Sequence, residues 1–281
     1  MIVTARHIDP QAVLDFIVRQ QQSRRTACAY LGTEASSIQS DLEGLDQHWL
    51  ETVRASVTVD GQIAGAVVIE WDEAMGRSWV YGPWAEEGAW ASESPELLAA
   101  AMALAPAGSH EMYAHVSNEG MAWLAAQSGW KPGEANFEYV RTLRMPAGTP
   151  APGIRPALRA DEAAIRELHD QEFPGTYALS SELVDPASSY STLVIAPEGK
   201  VLGYVAFQLQ DESTVYVDFI AVHPEARRRG AGARLLNAAQ QAAKRERVAL
   251  TVDENRPEAR EFYTSLGFEV TAATRPYRQR R

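Results

Sequence analysis

Arg227-Arg228-Arg229-Gly230-Ala231-Gly232 follows the alternating, β-branched run TVYVDFIAV from Thr214 to Val222 and the turn His223-Pro224-Glu225-Ala226. Beyond it the apolar period changes, and Ala233 to Arg245 reads as a helix. A strand, a glycine-containing basic loop and a helix start together make an anion site. The first helical N–H groups have no intrahelical partner and carry the positive end of the helix dipole. Gly230 and Gly232 are expected to let the backbone, with the amides of Ala231 and Ala233, approach a ligand closely. Arg227, Arg228, Arg229 and Arg234 are the expected charge-assisted partners of phosphate oxygens. The stretch lacks the Lys-Ser/Thr pair of a P-loop. Lys244-Arg245 stands near where a dinucleotide fingerprint would need an acid.

A second informative stretch begins after the apolar run Val248–Val252, at Asn255, and ends at Phe268 (NRPEAREFYTSLGF). Ala259, Phe262, Tyr263 and Leu266 fall at i, i+3, i+4 and i+7, one face of a helix. Asn255 with Glu258 three residues on has the spacing of a capping box, and Gly267 is the expected left-handed stop.

The two stretches resemble the signatures of the GNAT acetyltransferase superfamily. Arg227-x-x-Gly230-x-Gly232 is similar to its pyrophosphate loop, and Asn255 to Phe268 to its N-x-x-x-A-x-x-F-Y-x-x-L-G-F segment. The resemblance covers most of residues 154–270. It implies acetyl-CoA as co-substrate, with Arg227 to Arg234 on the pyrophosphate and the strands ending near 222 and 252 splayed apart. It also implies that backbone at Ile220, Ala221 and Val222 pairs with the pantetheine arm, which Asn255 also contacts. Tyr263 then stands where the family places the phenol that protonates the departing thiolate. The attacking amine must lose a proton, and Asp218 on the same strand is the expected base, with Glu254, Asp253 and Glu172 as alternatives.

Composition bounds the rest. The chain has 281 residues, 46% of them hydrophobic and 22% charged, ordinary globular material for two domains. A single cysteine, Cys28, excludes a disulfide framework and suits a reducing compartment, so a cytoplasmic location is expected. A formal charge of −11 argues against nucleic acid as a partner, and no apolar run is long enough for a membrane span. The six histidines are too scattered for a metal site. Residues 1–146 hold 9 Lys and Arg against 19 Asp and Glu, a balance of −10, while the remainder holds 17 against 18.

Pro146-Ala-Gly-Thr-Pro-Ala-Pro-Gly153 reads as a linker, giving an expected N-terminal domain at 1–146 and a C-terminal one at 154–281. The halves repeat each other. Asp60-Gly61…Gly65 parallels Glu198-Gly199…Gly203, and Ser128-Gly129-Trp130 parallels Leu266-Gly267-Phe268, with Gly65 to Gly203 and Gly129 to Gly267 at one common offset. The expected fold is α/β, two tandem GNAT-like domains, each a mixed, mostly antiparallel sheet with helices on both faces. In the first copy, Glu86-Glu87 replaces the arginines of the loop and Ala125 replaces Tyr263, so that copy reads as degenerate. The arrangement is similar to that of mycothiol synthase-like proteins. Two readings follow: an N-acetyltransferase acting on a small cationic amine, or a non-catalytic CoA-binding or interaction protein on the same scaffold. Oligomeric state stays open.

Overall fold

The computed structural model describes residues 2–4, 9–142 and 152–280; the Pro/Gly linker lies almost wholly outside them. The chain forms two compact units, Met1–Asn136 with Ala272–Arg281, and Phe137–Thr271.

Unit 1 runs β1 (Ile2–Thr4), α1 (Pro10–Gln21), α2 (Ala35–Glu43), α3 (Trp49–Thr52), β2 (Arg54–Val57), β3 (Ile63–Asp72), β4 (Arg77–Ala85), α4 (Trp90–Met102), β5 (Ser109–His115), α5 (Glu119–Gln127) and β6 (Lys131–Pro132). Local chemistry starts its helices. The Asp9 carboxylate accepts from the Gln11 amide ahead of Pro10, and Asn118 accepts from the Met121 amide at the start of α5. Val13, Phe16 and Ile17 of α1 pack with Val53, Ala66, Val68 and Trp84 on one sheet face. Leu97, Leu98 and Ala101 of α4 and Leu124 of α5 cover Val67, Ile69, Val80 and Met112 on the other.

Unit 2 contains β7 (Asn136–Thr142, from Phe137 on), β8 (Ile154–Pro156), α6 (Glu162–Glu172), α7 (Ser180–Leu183), β9 (Ser191–Ile195), β10 (Gly203–Leu209), β11 (Thr214–Val222), α8 (Ala231–Ala243), β12 (Arg247–Asp253) and α9 (Pro257–Ser265). Its strand order is β7-β12-β11-β10-β9-β8, with β11 and β12 parallel. Leu235, Leu236 and Ala239 of α8 and Tyr263 of α9 form one core with Val215, Val217, Val248 and Leu250. On the opposite face Ile165 and Leu168 of α6 pack on Tyr204, Ala206, Phe219 and Ala221.

The repeat extends to individual elements. β5 and β12 are seven residues each at an offset of 138, as are the nine-residue helices α5 and α9, while α4 and α8 are both thirteen. Both short helices end alike. The Phe268 amide reaches the Tyr263 carbonyl and that of Gly267 the Thr264 carbonyl, with Gly267 at φ +80. Trp130, Ala125, Gly129 and Ala126 repeat this, with Gly129 at φ +74. Only glycine takes that conformation without strain, so the predicted stop is a Schellman closure in both copies.

The compact units do not follow the linker. β7 belongs to the sequence preceding it yet builds unit 2, where Tyr139 is buried in the core beside Tyr263. Arg141, also buried, donates to Asn237 Oδ1 at 2.9 Å and Gln240 Oε1 at 3.3 Å of α8. The final strand, β13 (Glu269–Arg280), sends Ala272 onward into unit 1, where Thr274–Arg280 pairs antiparallel with β5 and Tyr277 is buried. Each unit is thus completed by a strand from the other half of the sequence.

Candidate functional site

The parallel ladder between β11 and β12 runs from Thr214↔Arg247 to Val217↔Leu250 and stops. β11 continues five residues further, to Val222, and β12 three, to Asp253. The splay expected from the sequence is therefore present, and the β12-facing edge of Ile220, Ala221 and Val222 lies along it. On its other edge β11 pairs with β10, and the register slips between Ala206↔Phe219 and Phe207↔Val217. The extra residue is Asp218: a β-bulge re-aims a side chain out of the ladder, here a carboxylate beside the splay.

Asp218 accepts from the Tyr177 hydroxyl at 2.9 Å on one oxygen and from Gln208 Nε2 at 3.4 Å on the other. Desolvation by burial raises its pKa above the usual carboxylate range, and these two hydrogen bonds partly offset that. Tyr263 is 7% exposed and packs against Tyr139, Phe262 and Phe268. Burial raises its pKa, Arg256 pulling the other way, and among the described residues none hydrogen-bonds its hydroxyl. The phenol keeps its proton at neutral pH.

The helix follows the strand as expected but starts at Ala231, two residues before the expected Ala233, so that Gly232 lies in its first turn. Gly230 caps α8 at φ 75, ψ 7, and a Cβ there would meet nothing within 4 Å. The left-handed backbone, in open space, is the reason for glycine. Gly232 differs: a Cβ would stand 2.9 Å from Phe262 Cζ, so this glycine lets α8 and α9 close on each other. Gly232 thus has a packing requirement beside the ligand approach expected of it. Arg228 is also left-handed, at φ 57. Arg227 donates from Nε to the Val222 carbonyl at 2.9 Å and pairs with Glu172, which also accepts from Arg256 at its carbonyl at 2.5 Å. Arg227 and Glu172 thus tie the loop to the end of α6, and Glu172 is a poor alternative base. Arg234 donates to the Pro152 carbonyl. Arg228 and Arg229 are exposed beside the amides of Ala231, Gly232 and Ala233, which lack intrahelical acceptors.

Asn255 is not the cap of α9. The helix begins at Pro257 with Arg256 as the N-cap, and no side chain caps it. Proline at N1 needs no partner for its nitrogen, which moves the start beyond the Asn255–Glu258 box. Asn255 stays exposed in the turn after β12.

Unit 1 keeps the splay and fills it. Its ladder ends at Val80↔Met112, with β4 five and β5 three residues longer, as in unit 2. Into the β5 edge that β4 has left comes the chain's own segment: Cys28 bridges Ala114, and the Ala29 amide donates to the Tyr113 carbonyl at 2.7 Å. Buried Gln21 clamps that segment, accepting from the Cys28 amide at 2.6 Å and the Trp84 indole at 3.0 Å while donating to the Cys28 and Leu31 carbonyls. Burial raises the Cys28 thiol to about 11. At the helix start Trp90 donates to the Gly120 carbonyl at 3.1 Å, and Glu86 pairs with Arg19 at 2.6 Å. Sequence reasoning read the loss from Glu86-Glu87 and Ala125; the 28–29 plug carries no local signal.

The C-terminal unit thus combines a sheet opened between parallel strands, a basic helix start after β11 and a carboxylate on a bulge beside the opening. Residues 159–268 match the acetyltransferase (GNAT) family model. A GCN5-related N-acetyltransferase from Sphaerobacter thermophilus is 22% identical at TM-score 0.61, covering 100% of this chain and 95% of that one. A tandem GNAT protein from the clavulanic acid biosynthesis pathway is 15% identical at TM-score 0.51, covering 100% and 97%. The fold is thus a tandem GNAT arrangement. No curated protein matches the chain. Among the described residues no helix is long and apolar enough to cross a membrane, and no group of three or more His, Cys, Asp or Glu could hold a metal ion.

Proposed function

We propose that the chain is an acetyl-CoA-dependent N-acetyltransferase whose C-terminal unit acts on a small cationic amine. The carrying observation is the ladder that ends at Val217↔Leu250 with the bulged Asp218 beside it and the left-handed Gly230 cap on the helix that follows. Acetyl-CoA fits these residues: its pyrophosphate suits the amides of Ala231 to Ala233 with Arg228 and Arg229, and its pantetheine arm suits the unpaired edge of Ile220 to Val222. It supplies an activated acetyl thioester.

The chain's own groups do the rest. An aliphatic amine is mostly protonated at neutral pH, so a proton must leave before attack. Asp218, with a pKa raised by burial, is a stronger base than an exposed aspartate. In this reading a backbone N–H of Ile220 to Val222 polarises the thioester oxygen. Tyr263 retains its proton and has no acceptor among the described residues, so that proton is available to the departing thiolate. The negative balance of the sequence favours a cationic acceptor through long-range attraction. The test is a panel of amines with acetyl-CoA, read by free-thiol release. Turnover that prefers cationic amines and weakens with salt supports the reading. Acetyl-CoA binding without acceptor-dependent thiol release across the panel rejects catalysis in favour of a binding role.

A further inference from the structure

The loop between α6 and α7 carries Tyr177, 74% exposed as a residue, with its hydroxyl on Asp218 Oδ1 at 2.9 Å. An exposed side chain does not hold one rotamer without support, and the support is visible. The next residue, Ala178, is 3% exposed and its carbonyl lies 3.0 Å from His169 Nε2. A carbonyl only accepts, so Nε2 carries a proton, and His169 Nδ1 shares a hydrogen bond with the Tyr204 hydroxyl at 2.6 Å. His169 and Tyr204 are buried at 1% and 0%, on α6 and β10, and His169 is walled by Phe173 and Phe219 at 5.5 and 4.8 Å. The Tyr177 ring itself rests against Phe219, 5.3 Å between centroids. A chain of hydrogen bonds thus runs from the sheet core through His169 to the loop backbone, and from that loop onto Asp218.

We infer that Tyr177 is a positioning residue, held by the Tyr204–His169–Ala178 chain, that aims the Asp218 carboxylate and sets its protonation state. The functional half rests on the reading of Asp218 as the proton acceptor; the geometric half does not. The groups facing Asp218 are the phenols of Tyr177 and, from the segment before β9, Tyr190, together with the Gln208 amide; Glu182 acts on Tyr190. Tyr177 and Gln208 favour the ionised form and burial opposes it. Removing the Tyr177 hydroxyl leaves burial less opposed, so the carboxyl pKa rises.

The experiment is Tyr177→Phe, which keeps the ring on Phe219, compared with Tyr190→Phe and wild type. The Asp218 carboxyl carbon is titrated by NMR in the protein without substrates, a readout independent of activity. Tyr177→Phe is expected to raise that midpoint by about one pH unit, the scale of one charge-assisted hydrogen bond at a partly open site. Tyr190→Phe, lacking the direct bond, is expected to move it less. An unchanged midpoint in Tyr177→Phe overturns the inference. The acid limb of kcat/KM should move up by the same amount, about tenfold less activity below it and little change above it. A shifted midpoint with an unshifted limb overturns Asp218 as the base and, with it, the functional half alone. His169→Gln, if it folds, should reproduce the shift; if it does not fold, Tyr177→Phe decides.

Discussion

Cutting the chain at its linker should destroy both halves. A fragment of residues 152–281 loses β7 from unit 2. Tyr139 is 2% exposed there, and removing a buried aromatic side chain costs about 3–5 kcal/mol. Arg141 loses two hydrogen bonds, to Asn237 and Gln240, each worth about 1.5–3 kcal/mol for a charged group. Together these remove about 6–11 kcal/mol, comparable with the roughly 5–15 kcal/mol that stabilises a whole domain. The loss also bares one side of Tyr263. Residues 1–146 forfeit the ladder from Thr274 to Arg280 and the buried Tyr277. The assay is expression of the two fragments alone and together, followed by urea unfolding monitored by circular dichroism. Neither fragment alone should show a cooperative transition, because neither contains all the strands of its unit. Extending the C-terminal piece back to Asn136 should restore unit 2. A cooperative transition from residues 152–281 alone, with the midpoint of the full chain, would refute the reasoning. Tyr139→Ala in the intact chain is the milder test, expected to cost about 3–5 kcal/mol in the same titration.

Three further outcomes follow from the site. Tyr263→Phe should leave acetyl-CoA affinity nearly unchanged in calorimetry and lower kcat about 10²–10³-fold, the loss of a positioned acid; wild-type turnover would leave the residue as packing alone. Gly230→Ala and Gly232→Ala should part company. The first pays about 1–2 kcal/mol for a left-handed alanine and weakens acetyl-CoA binding, while the second pays mainly in stability, by pressing a methyl on Phe262. Thermal melts and calorimetry on both would expose the opposite pattern. Acetyl-CoA should bind one per chain, because Cys28 and Ala29 already occupy the β5 edge in unit 1; a stoichiometry of two contradicts that reading.

What could be read from the sequence was local. The helix face of Ala259, Phe262, Tyr263 and Leu266, the closing Gly267, the strand ending at Val222 and the basic loop after it depend on periodicity and turn chemistry within a few residues. The common offset between halves carried the tandem arrangement, since a repeated fold repeats its turns. The reading failed where a partner lay far along the chain or where two local signals competed. Asn255 was expected to cap the helix, which instead starts at Pro257. Gly232 was matched to a motif, and its packing against Phe262, thirty residues away, was not visible there. Arg227 found Glu172, Tyr177 found Asp218, and Cys28 found Ala114 across 41 to 86 residues, distances over which no periodicity carries information. The largest difference is the exchange of β7 and β13. A strand's alternation says which of its faces is buried but not which sheet will bury it. A proline-rich boundary marks where the chain leaves regular structure, not where a core ends. The sequence by itself determined two copies of one α/β fold and the local signatures of the second. Tertiary structure decided which strands complete each copy, which arginines are already committed, and that the first copy's opening is closed by its own backbone.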